Sequence, residues 1–303
     1  MTERARTVLV FGAGGQVGRE LTQRPAPPGF TMVGLGHADA DIADRGAVAR
    51  AVRQHRPDVI INAAAYTAVD KAESEPDRAF AVNEAGARHL ADAAQEAGAA
   101  LVHFSTDYVF DGRKATPYAE DDPVAPASVY GRSKEAGERA VRETTPRHVI
   151  VRTAWVYAAH GHNFLRTMLR LARERDLVRV VADQHGTPTA ASDLAEATFA
   201  ILAKLQDEDA RFGTFHLTNS GRTTWHGFAE AIFAGLARRG GRAPRLDAIA
   251  TADYPTPARR PAMSVLDCAK IERVFGIRLR PWEEALNDTM ETLLAAEMER
   301  GHV

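Results

Sequence analysis

The stretch TVLVFGAGGQVG, residues 7–18, decides how the first part of this 303-residue chain folds. Residues 7–11 are β-branched and apolar, which is typical of a buried strand. Gly12, Gly15 and Gly18 follow as G-x-x-G-x-x-G and lead into a helix. At such a junction, glycines permit a tight turn, close approach of the backbone to phosphate, and close helix–sheet packing. The helix N-terminus adds free N–H groups and partial positive charge, so the turn predicts a dinucleotide site.

Strand and helix patterns alternate outward from this turn through the first half of the chain. Strands are predicted at residues 7–11, 30–35, 59–64, 101–104 and 149–152. Helices are predicted at residues 19–23, after Asp44 to residue 55, from Pro76 to residue 97 with Gly98 ending it, and over 128–142. Apolar strands separated by helices imply a parallel sheet covered on both faces. Right-handed crossovers would wind it into a doubly wound, Rossmann-like α/β fold.

The second half of the chain is less regular. Helices are predicted at residues 164–173, 192–205, 225–238 and 282–298, and strands at 177–181 and 214–217. Residues 244–261 are rich in proline and alanine and are predicted to be mostly loop. We therefore expect a Rossmann domain that binds the dinucleotide over residues 1–157. A smaller α/β region over residues 158–303 is expected mainly to bind substrate, with interleaving between the two left open.

Composition limits the classes of partner. The chain has 38 basic and 40 acidic side chains, and this balance gives no electrostatic reason to expect nucleic acid or an anionic membrane. Its single cysteine, Cys268, cannot form an internal disulfide. Residues 1–7 lack the features of a signal peptide, and no apolar run reaches membrane-spanning length. We expect a cytoplasmic protein.

A tyrosine and a lysine lie four residues apart in the predicted helix at 128–142. Tyr130 and Lys134 therefore project from one face of that helix. A lysine ammonium stabilises a phenolate and lowers the tyrosine pKa, which suits proton donation to a developing alkoxide. The pair is common by chance and is a weak signal alone. Thr106, just after a buried strand, is expected to face the same crevice and hydrogen-bond a substrate carbonyl.

The end of the second strand bears on the choice of cofactor. Sites that favour NAD often carry an acidic residue there to bind the ribose 2′-OH. Here the strand ends at Leu35 and is followed by Gly36 and His37, and Asp39 comes two residues later. His37 or Arg19 is then available to a 2′-phosphate. NADPH is expected as cofactor, with NADH also usable.

With these elements in order, the sequence resembles the extended short-chain dehydrogenase/reductases, and specifically the dTDP-4-dehydrorhamnose reductases. The resemblance covers nearly the whole chain. It rests on the glycine turn and on the segments 57–73, 105–112, 130–134, 152–157, 184–189, 254–257 and 260–261. Long matched segments are more specific than any single motif.

The resemblance implies roles for individual positions. For the cofactor it implies phosphate contacts from Gly12, Gln16 and Val17, adenine contacts from Asp41 and Ile42, and a path lined by Ala63, Ala64, Ala65 and Thr67. For catalysis it implies Tyr130 as general acid, Lys134 as ligand of the nicotinamide ribose that also tunes Tyr130, and Thr106 as the group that orients the carbonyl. For the substrate it implies sugar contacts from Val69, Asp107 and Trp155, and a diphosphate contact from Arg260.

Some members of that family hold magnesium between two subunits with acidic side chains. Glu20 matches one such position, whereas Ser192 stands where another carboxylate would be expected. The set is incomplete for a hard cation. We therefore predict no metal, and a homodimer is left open.

The resemblance implies reduction of the 4-keto group of dTDP-4-dehydro-L-rhamnose by hydride transfer from NADPH, with Tyr130 as general acid. One alternative is a reductase of the same fold acting on another dTDP-4-keto-6-deoxysugar in natural-product glycosylation. An alternative of another class is a non-catalytic regulatory subunit of the methionine adenosyltransferase type. Intact Thr106, Tyr130 and Lys134 argue against the latter.

Overall fold

The computed structural model describes residues 4–205 and 211–299 of the chain. Its strands, numbered in chain order, are β1 (Arg6–Phe11), β2 (Phe30–Leu35), β3 (Val59–Asn62), β4 (Ala100–Thr106), β5 (His148–Thr153), β6 (Val156–Tyr157), β7 (Leu177–Val181), β8 (His185–Gly186), β9 (Thr189–Ala190), β10 (Gly213–His216), β11 (Thr223–Thr224) and β12 (Arg245–Ile249).

The α-helices surround these strands and are numbered in the same way. They are α1 (Gln16–Gln23), α2 (Arg45–His55), α3 (Val69–Ala72), α4 (Pro76–Phe80), α5 (Gly86–Ala97), α6 (Val129–Thr144), α7 (Phe164–Glu174), α8 (Ala191–Lys204), α9 (Trp225–Arg238), α10 (Ala269–Phe275) and α11 (Trp282–Glu299). A π-helical turn at Ala81–Ala85 joins α4 to α5, and 3₁₀ turns occur at Asp107–Val109 and Thr251–Asp253.

Local sequence signals set several helix ends. The side chain of Asp44 accepts hydrogen bonds from the N–H groups of Gly46 and Ala47 and so begins α2. Ser128 caps α6 in the same way, accepting from the N–H of Gly131. Gly98 adopts the left-handed conformation that ends α5. The predicted cap at Asp44 and the predicted stop at Gly98 are both confirmed.

The central sheet is parallel, with strand order β10-β5-β4-β3-β1-β2. Every residue of β3, β4 and β5 is buried, as expected when helices cover both faces. The chain runs from β1 to β2 on one side and then returns to place β3 and later strands on the other. The strand order therefore reverses between β1 and β3, and a crevice opens there at the carboxyl ends. The doubly wound, Rossmann-like α/β fold is confirmed.

The second half of the chain contributes both to this sheet and to a separate apolar cluster. β10 pairs with β5, with Gly213 opposite Val149. Helices α7, α9 and α11 pack together around buried Leu165, Phe228 and Leu286. Short strands accompany them, since β7 pairs with β12, β8 with β11 and β6 with β9. Of the predicted domain spans, residues 1–3, 206–210 and 300–303 lie outside the described residues.

Three details differ from the sequence-based expectations. Residues 244–261 are mostly loop, as expected, but they also contain β12, a strand that was not predicted and that forms a parallel pair with β7. Leu246 packs against the α7–α9–α11 cluster, so tertiary pairing outweighs the proline and alanine of the flanking residues. The helix expected from Pro76 to residue 97 is interrupted by the π-helical turn. Helix α1 begins at Gln16, inside the predicted glycine turn.

In the part of the chain that the structure describes, no helix combines the length and the apolar character needed to cross a membrane.

Candidate active site

A cavity of about 820 Å³ opens at the carboxyl ends of the central strands, next to the reversal in strand order. It gathers almost all the residues that the sequence singled out. These are Gly12, Gly15, Gln16, Val17, Asp41, Ile42, Ala63, Ala64, Ala65, Thr67, Val69, Thr106, Asp107, Tyr130, Lys134, Trp155 and Arg260. Of the three glycines that define the turn, Gly18 is the exception. It does not line the cavity, and a Cβ atom there would collide with the backbone of Gly12.

The glycine turn is shaped by close backbone contacts. Gly12 has φ +83°, and a Cβ atom on it would lie 2.5 Å from the nitrogen of Ala64. The backbone just after β1 therefore passes so close to the backbone just after β3 that only glycine fits at residue 12. Gly15 is the N-cap of α1, and no side chain caps the first turn of that helix. That turn also contains no acidic side chain. The N-terminal N–H groups of α1 therefore remain suited to a pyrophosphate, and these residues fit a dinucleotide.

The loop after β2 forms another part of the wall. The side chain of Asp39 accepts a hydrogen bond from the N–H of Gly36 at 2.8 Å, so this carboxylate is engaged in its own loop. His37 lines the cavity and lies 3.8 Å from the carboxylate of Asp41. Arg19 instead donates to Gln23 along α1, at 2.8 Å. Of the two basic side chains considered from sequence, His37 is the one at the cavity.

Helix α6 carries the tyrosine–lysine pair into the floor of the cavity. The Lys134 ammonium donates to the carbonyl of Phe104 at 2.7 Å. Burial lowers the pKa of Lys134 to about 8, partly opposed by the carboxylate of Glu138. Burial also raises the pKa of the Tyr130 hydroxyl, and a hydrogen bond with Thr106 only partly offsets this. The expectation that Lys134 lowers the tyrosine pKa is therefore not met in the chain alone, where desolvation dominates and Tyr130 keeps its proton.

Two buried side chains at the end of β4 complete this floor. The Thr106 hydroxyl donates to Asp107 Oδ1 at 2.9 Å and accepts from the N–H of Tyr108 at 3.2 Å. Asp107 is 2% exposed, and burial raises its pKa to about 6. The ring of Tyr108 meets that of Tyr130 edge-on, with centroids 5.6 Å apart. The fold thus places the Thr106 hydroxyl, the Tyr130 phenol and the Asp107 carboxyl group side by side.

The predicted substrate residues stand on other parts of the wall. Arg260 donates to Asp70 Oδ2 at 2.7 Å and to the Tyr108 hydroxyl at 3.1 Å, and these bonds hold the guanidinium at the cavity. Trp155 follows β5 and stacks on Trp225, with ring centroids 3.6 Å apart. Val69 begins α3. The cavity therefore combines a fixed cation with aromatic surface.

Sequence reasoning did not single out several residues that matter here. Arg78, His162 and Trp225 line the cavity. Asn83, buried in the π-helical turn, accepts from the N–H of Tyr66 and donates to the Ser133 hydroxyl, at 2.8 and 2.9 Å. It therefore ties the loop after β3 to α6. In the sequence, Arg78 and Trp225 stand near the start of a helix, and Asn83 is a polar residue within an apolar run. Neither pattern indicates a functional site.

The residues matching the family's metal position do not fit a divalent cation. Glu20 Oε2 accepts from Arg24 at 3.0 Å, and its Oε1 lies 2.7 Å from Nε2 of His160. Arg24 also binds Glu196 at 2.7 Å, and Ser192 lines the same small cleft. Both carboxylate oxygens of Glu20 are thus paired with nitrogen groups. Residues 4–205 and 211–299 contain no cluster of three or more His, Cys, Asp or Glu side chains able to hold a metal.

Comparison with known proteins adds independent findings. A family model described as the RmlD substrate binding domain matches residues 6–295. The dTDP-4-dehydrorhamnose reductase of Sinorhizobium fredii is 48% identical over 290 residues, covering 95% of this chain and 97% of that protein. The crystal structure of a dTDP-4-dehydrorhamnose reductase from Clostridium acetobutylicum superposes with a TM-score of 0.89 at 38% identity, covering 95% of this chain and 99% of that one. One from Bacillus anthracis in complex with NADP gives 0.88 at 36% identity, with the same coverage.

Proposed function

The chain belongs to the RmlD substrate binding domain family, and from this premise we propose that it reduces the 4-keto group of dTDP-4-dehydro-L-rhamnose with NADPH, forming dTDP-L-rhamnose. The observation that carries the proposal is the meeting of Thr106, Tyr130 and Lys134 in one cavity with an uncapped glycine turn. A non-catalytic subunit has no need of such a buried proton donor.

NADPH, when bound, supplies the hydride for the carbonyl carbon. Tyr130 acts as general acid, because its raised pKa keeps the proton on the hydroxyl until negative charge develops on the substrate oxygen. The Thr106 hydroxyl orients that carbonyl and, with Tyr130, stabilises the developing charge. Lys134, protonated below about pH 8, binds the nicotinamide ribose and adds a fixed positive charge beside the reaction.

Cofactor and substrate occupy different parts of the wall in this proposal. Residues of the glycine turn and of the loops after β2 and β3 bind the dinucleotide, and His37 favours the 2′-phosphate of NADPH. Val69, Asp107 and Trp155 contact the sugar. Arg260 binds the substrate diphosphate, since a guanidinium matches phosphate oxygens. Remote diphosphate binding then helps to position the reacting carbonyl.

The division of labour along the chain is part of the same proposal. Residues 1–157 form the NADP-binding Rossmann domain, and residues 158–303 mainly bind substrate. β10 is the element of the second part that crosses into the central sheet of the first. Trp225 brings the second part to the cavity wall, which supports a role for that part in substrate binding.

A spectrophotometric screen of dTDP-4-keto-6-deoxysugars tests the proposal, with product stereochemistry assigned by NMR. dTDP-4-dehydro-L-rhamnose should support NADPH oxidation, whereas the free sugar should scarcely do so. NADPH should serve at least as well as NADH. Higher kcat/KM with another dTDP-4-keto sugar would favour the first alternative. Absence of turnover with every sugar in a folded protein would favour the regulatory subunit.

A further inference from the structure

Trp155 has an unusual backbone conformation for a bulky residue. Its φ is +47°, in the left-handed region. Among the described non-glycine residues only Arg56 shares a positive φ, and Arg56 ends a helix, where that conformation is common. For a tryptophan the left-handed region is strained, so it persists only where the surroundings hold it. The neighbours of Trp155 must therefore fix its indole at the cavity.

Two contacts hold the Trp155 ring. The indole of Trp225 lies parallel to it, with centroids 3.6 Å apart and planes 9° apart. Gly186 packs against the edge of the ring, and a Cβ atom there would lie 2.5 Å from Cζ2 of Trp155. A side chain larger than hydrogen at residue 186 would therefore displace the indole. Trp225 and Gly186 together form a clamp around Trp155.

A short antiparallel ladder brings both sides of the clamp together. β8 pairs with β11, which sets Gly186 opposite Thr223, two residues before Trp225. The Thr224 side chain then caps α9, accepting from the N–H of Gly227 at 3.0 Å. Phe164 packs against Trp225, with centroids 4.7 Å apart. Backbone pairing, a helix cap and an aromatic neighbour thus fix the position of Trp225.

The clamped ring stands next to the proposed reacting groups. Trp155 comes two residues after Thr153, which lies opposite Thr106 in the register of β5 and β4. Trp155 and Trp225 both line the cavity that contains Thr106 and Tyr130. A small displacement of the indole would therefore change the space left for a ligand beside those residues.

We propose that Trp225 is a positioning residue which, together with Gly186, clamps the Trp155 indole and thereby sets the fit of the nucleotide-linked ketosugar. The role in substrate binding rests on the proposed function, whereas the clamp itself is a property of the protein without ligand. NADPH binding depends on the glycine turn, which belongs to other elements. The clamp should therefore affect substrate KM much more than cofactor KM.

Circular dichroism of the unliganded protein tests the clamp directly. Two closely stacked indoles couple their transitions and give a bisignate far-ultraviolet band. The chain has three tryptophans, and the third, Trp282, packs against Phe228 in the α7–α9–α11 cluster. The bisignate band should survive in Trp282→Phe, the matched control, and vanish in Trp225→Phe. A wild-type protein without the band, or a Trp225→Phe protein that keeps it, would overturn the clamp.

Steady-state kinetics tests what the clamp does. Trp225→Leu should raise KM for dTDP-4-dehydro-L-rhamnose about tenfold or more, with kcat and NADPH KM within about threefold of wild type. Trp225→Phe keeps an aromatic face against Trp155 and should therefore retain most of the substrate affinity that Trp225→Leu loses. Gly186→Ala should match Trp225→Leu, although it removes no aromatic ring and adds only a methyl group.

The outcomes separate the two proposals. Unchanged substrate KM in both Gly186→Ala and Trp225→Leu would refute the positioning role, even where the dichroic band is lost. If Trp225→Leu does not fold, Gly186→Ala decides alone. A wild-type protein that shows the band but turns over no dTDP-4-keto sugar would refute the proposed function and the dependent substrate role, while leaving the clamp established.

Discussion

Glu138 is a fully buried charge one helical turn beyond Lys134, and its carboxylate is saturated. Oε1 accepts from the Ser105 hydroxyl at 2.6 Å and from Arg152 Nε at 2.9 Å. Oε2 accepts from Arg152 at 2.7 Å and from Arg142 at 2.9 Å. These partners hold the pKa of Glu138 below its ordinary value despite burial. A single side chain on α6, four residues after Lys134, thereby joins that helix to β4 and β5.

Replacing the Glu138 carboxylate should strongly destabilise the folded protein. Glu138→Gln leaves buried Arg152 without its counter-charge, and such a loss lowers the free energy of unfolding by about 3–5 kcal/mol. Chemical denaturation measures it. Glu143→Gln is the matched control on the same helix, because the Glu143–Arg88 pair is exposed and worth about 0–1 kcal/mol. Equal destabilisation by the two substitutions would contradict the assigned role of the buried cluster.

The pH dependence of turnover should report Lys134. With a pKa of about 8, its ammonium is present at lower pH and lost as pH rises through that value, so kcat/KM should fall there. Glu138 raises the pKa of Lys134, while His103 on β4 is buried nearby with its own pKa well below the ordinary value. The decline should therefore begin at lower pH in Glu138→Gln. A decline at unchanged pH in that variant would show that another group titrates.

Tyr130→Phe tests the proposed acid, since it removes only one hydroxyl. Loss of proton transfer should lower kcat about 10²–10⁴-fold, with NADPH affinity nearly unchanged. Lys134→Met should impair both turnover and cofactor binding, and Thr106→Val chiefly turnover. The effects should not add, because the three groups act together. A folded Tyr130→Phe enzyme within twofold of wild-type kcat would end this mechanism.

The site residues that could be predicted from sequence are those whose spacing or motif indicates where they lie in the fold. Tyr130 and Lys134 share a helical face, and the glycine turn follows a strand, so their meeting follows from the fold class. Asn83 and Trp225 gave no such signal. Asn83 acts through a π-helical turn, and Trp225 acts through a stack with a residue 70 positions away in sequence. Tertiary packing creates both roles, and local sequence does not encode them.

At the scale of elements, α6 is held against the turn that follows β4. A Cβ atom at Gly131 would collide with the carbonyl oxygen of Tyr108 and lie 3.0 Å from Cβ of Pro126. The helix can approach this closely only because residue 131 lacks a side chain. Since Tyr130 is the preceding residue, the same contact fixes the distance between the proposed acid and Thr106.

Gly131→Ala should therefore destabilise the protein, by about 1–3 kcal/mol from overpacking, although the same change in an open helix stabilises. It should also lower kcat, because α6 must move away from Tyr108. Thermal unfolding and steady-state kinetics measure the two effects. Arg132→Ala, at the exposed neighbouring position, should change neither. A stabilised and fully active Gly131→Ala protein would show that α6 is not closely packed against Tyr108.

The elements themselves were predictable where local chemistry decides them. Asp44, Ser128 and Gly98 set helix ends through hydrogen bonds or backbone conformation within a few residues. β12 was missed because its stability comes from pairing with β7, more than sixty residues earlier. The π-helical turn was missed because it inserts an irregularity into an otherwise continuous helical pattern.

At the scale of the whole molecule, the cleft around Glu20 bears on metal dependence and assembly. Arg24 and His160 already occupy the Glu20 carboxylate, and Ser192 brings no charge. EDTA should therefore leave both activity and oligomeric state unchanged. Size-exclusion chromatography with parallel activity assays measures this. A dimer that dissociates in EDTA and reforms with magnesium would contradict the expectation.

The position of β10 has a consequence for synthesis on the ribosome. All six residues of β5 are buried in the finished sheet, but the strand that pairs with its outer edge begins only at Gly213. The emerging polypeptide therefore carries an unpaired apolar strand edge while about sixty further residues are translated. During that interval the edge is a template for intermolecular pairing, so yield in rapid expression should depend on chaperone supply. Release of residues 213–216 from the exit tunnel ends this exposure and lets the sheet close.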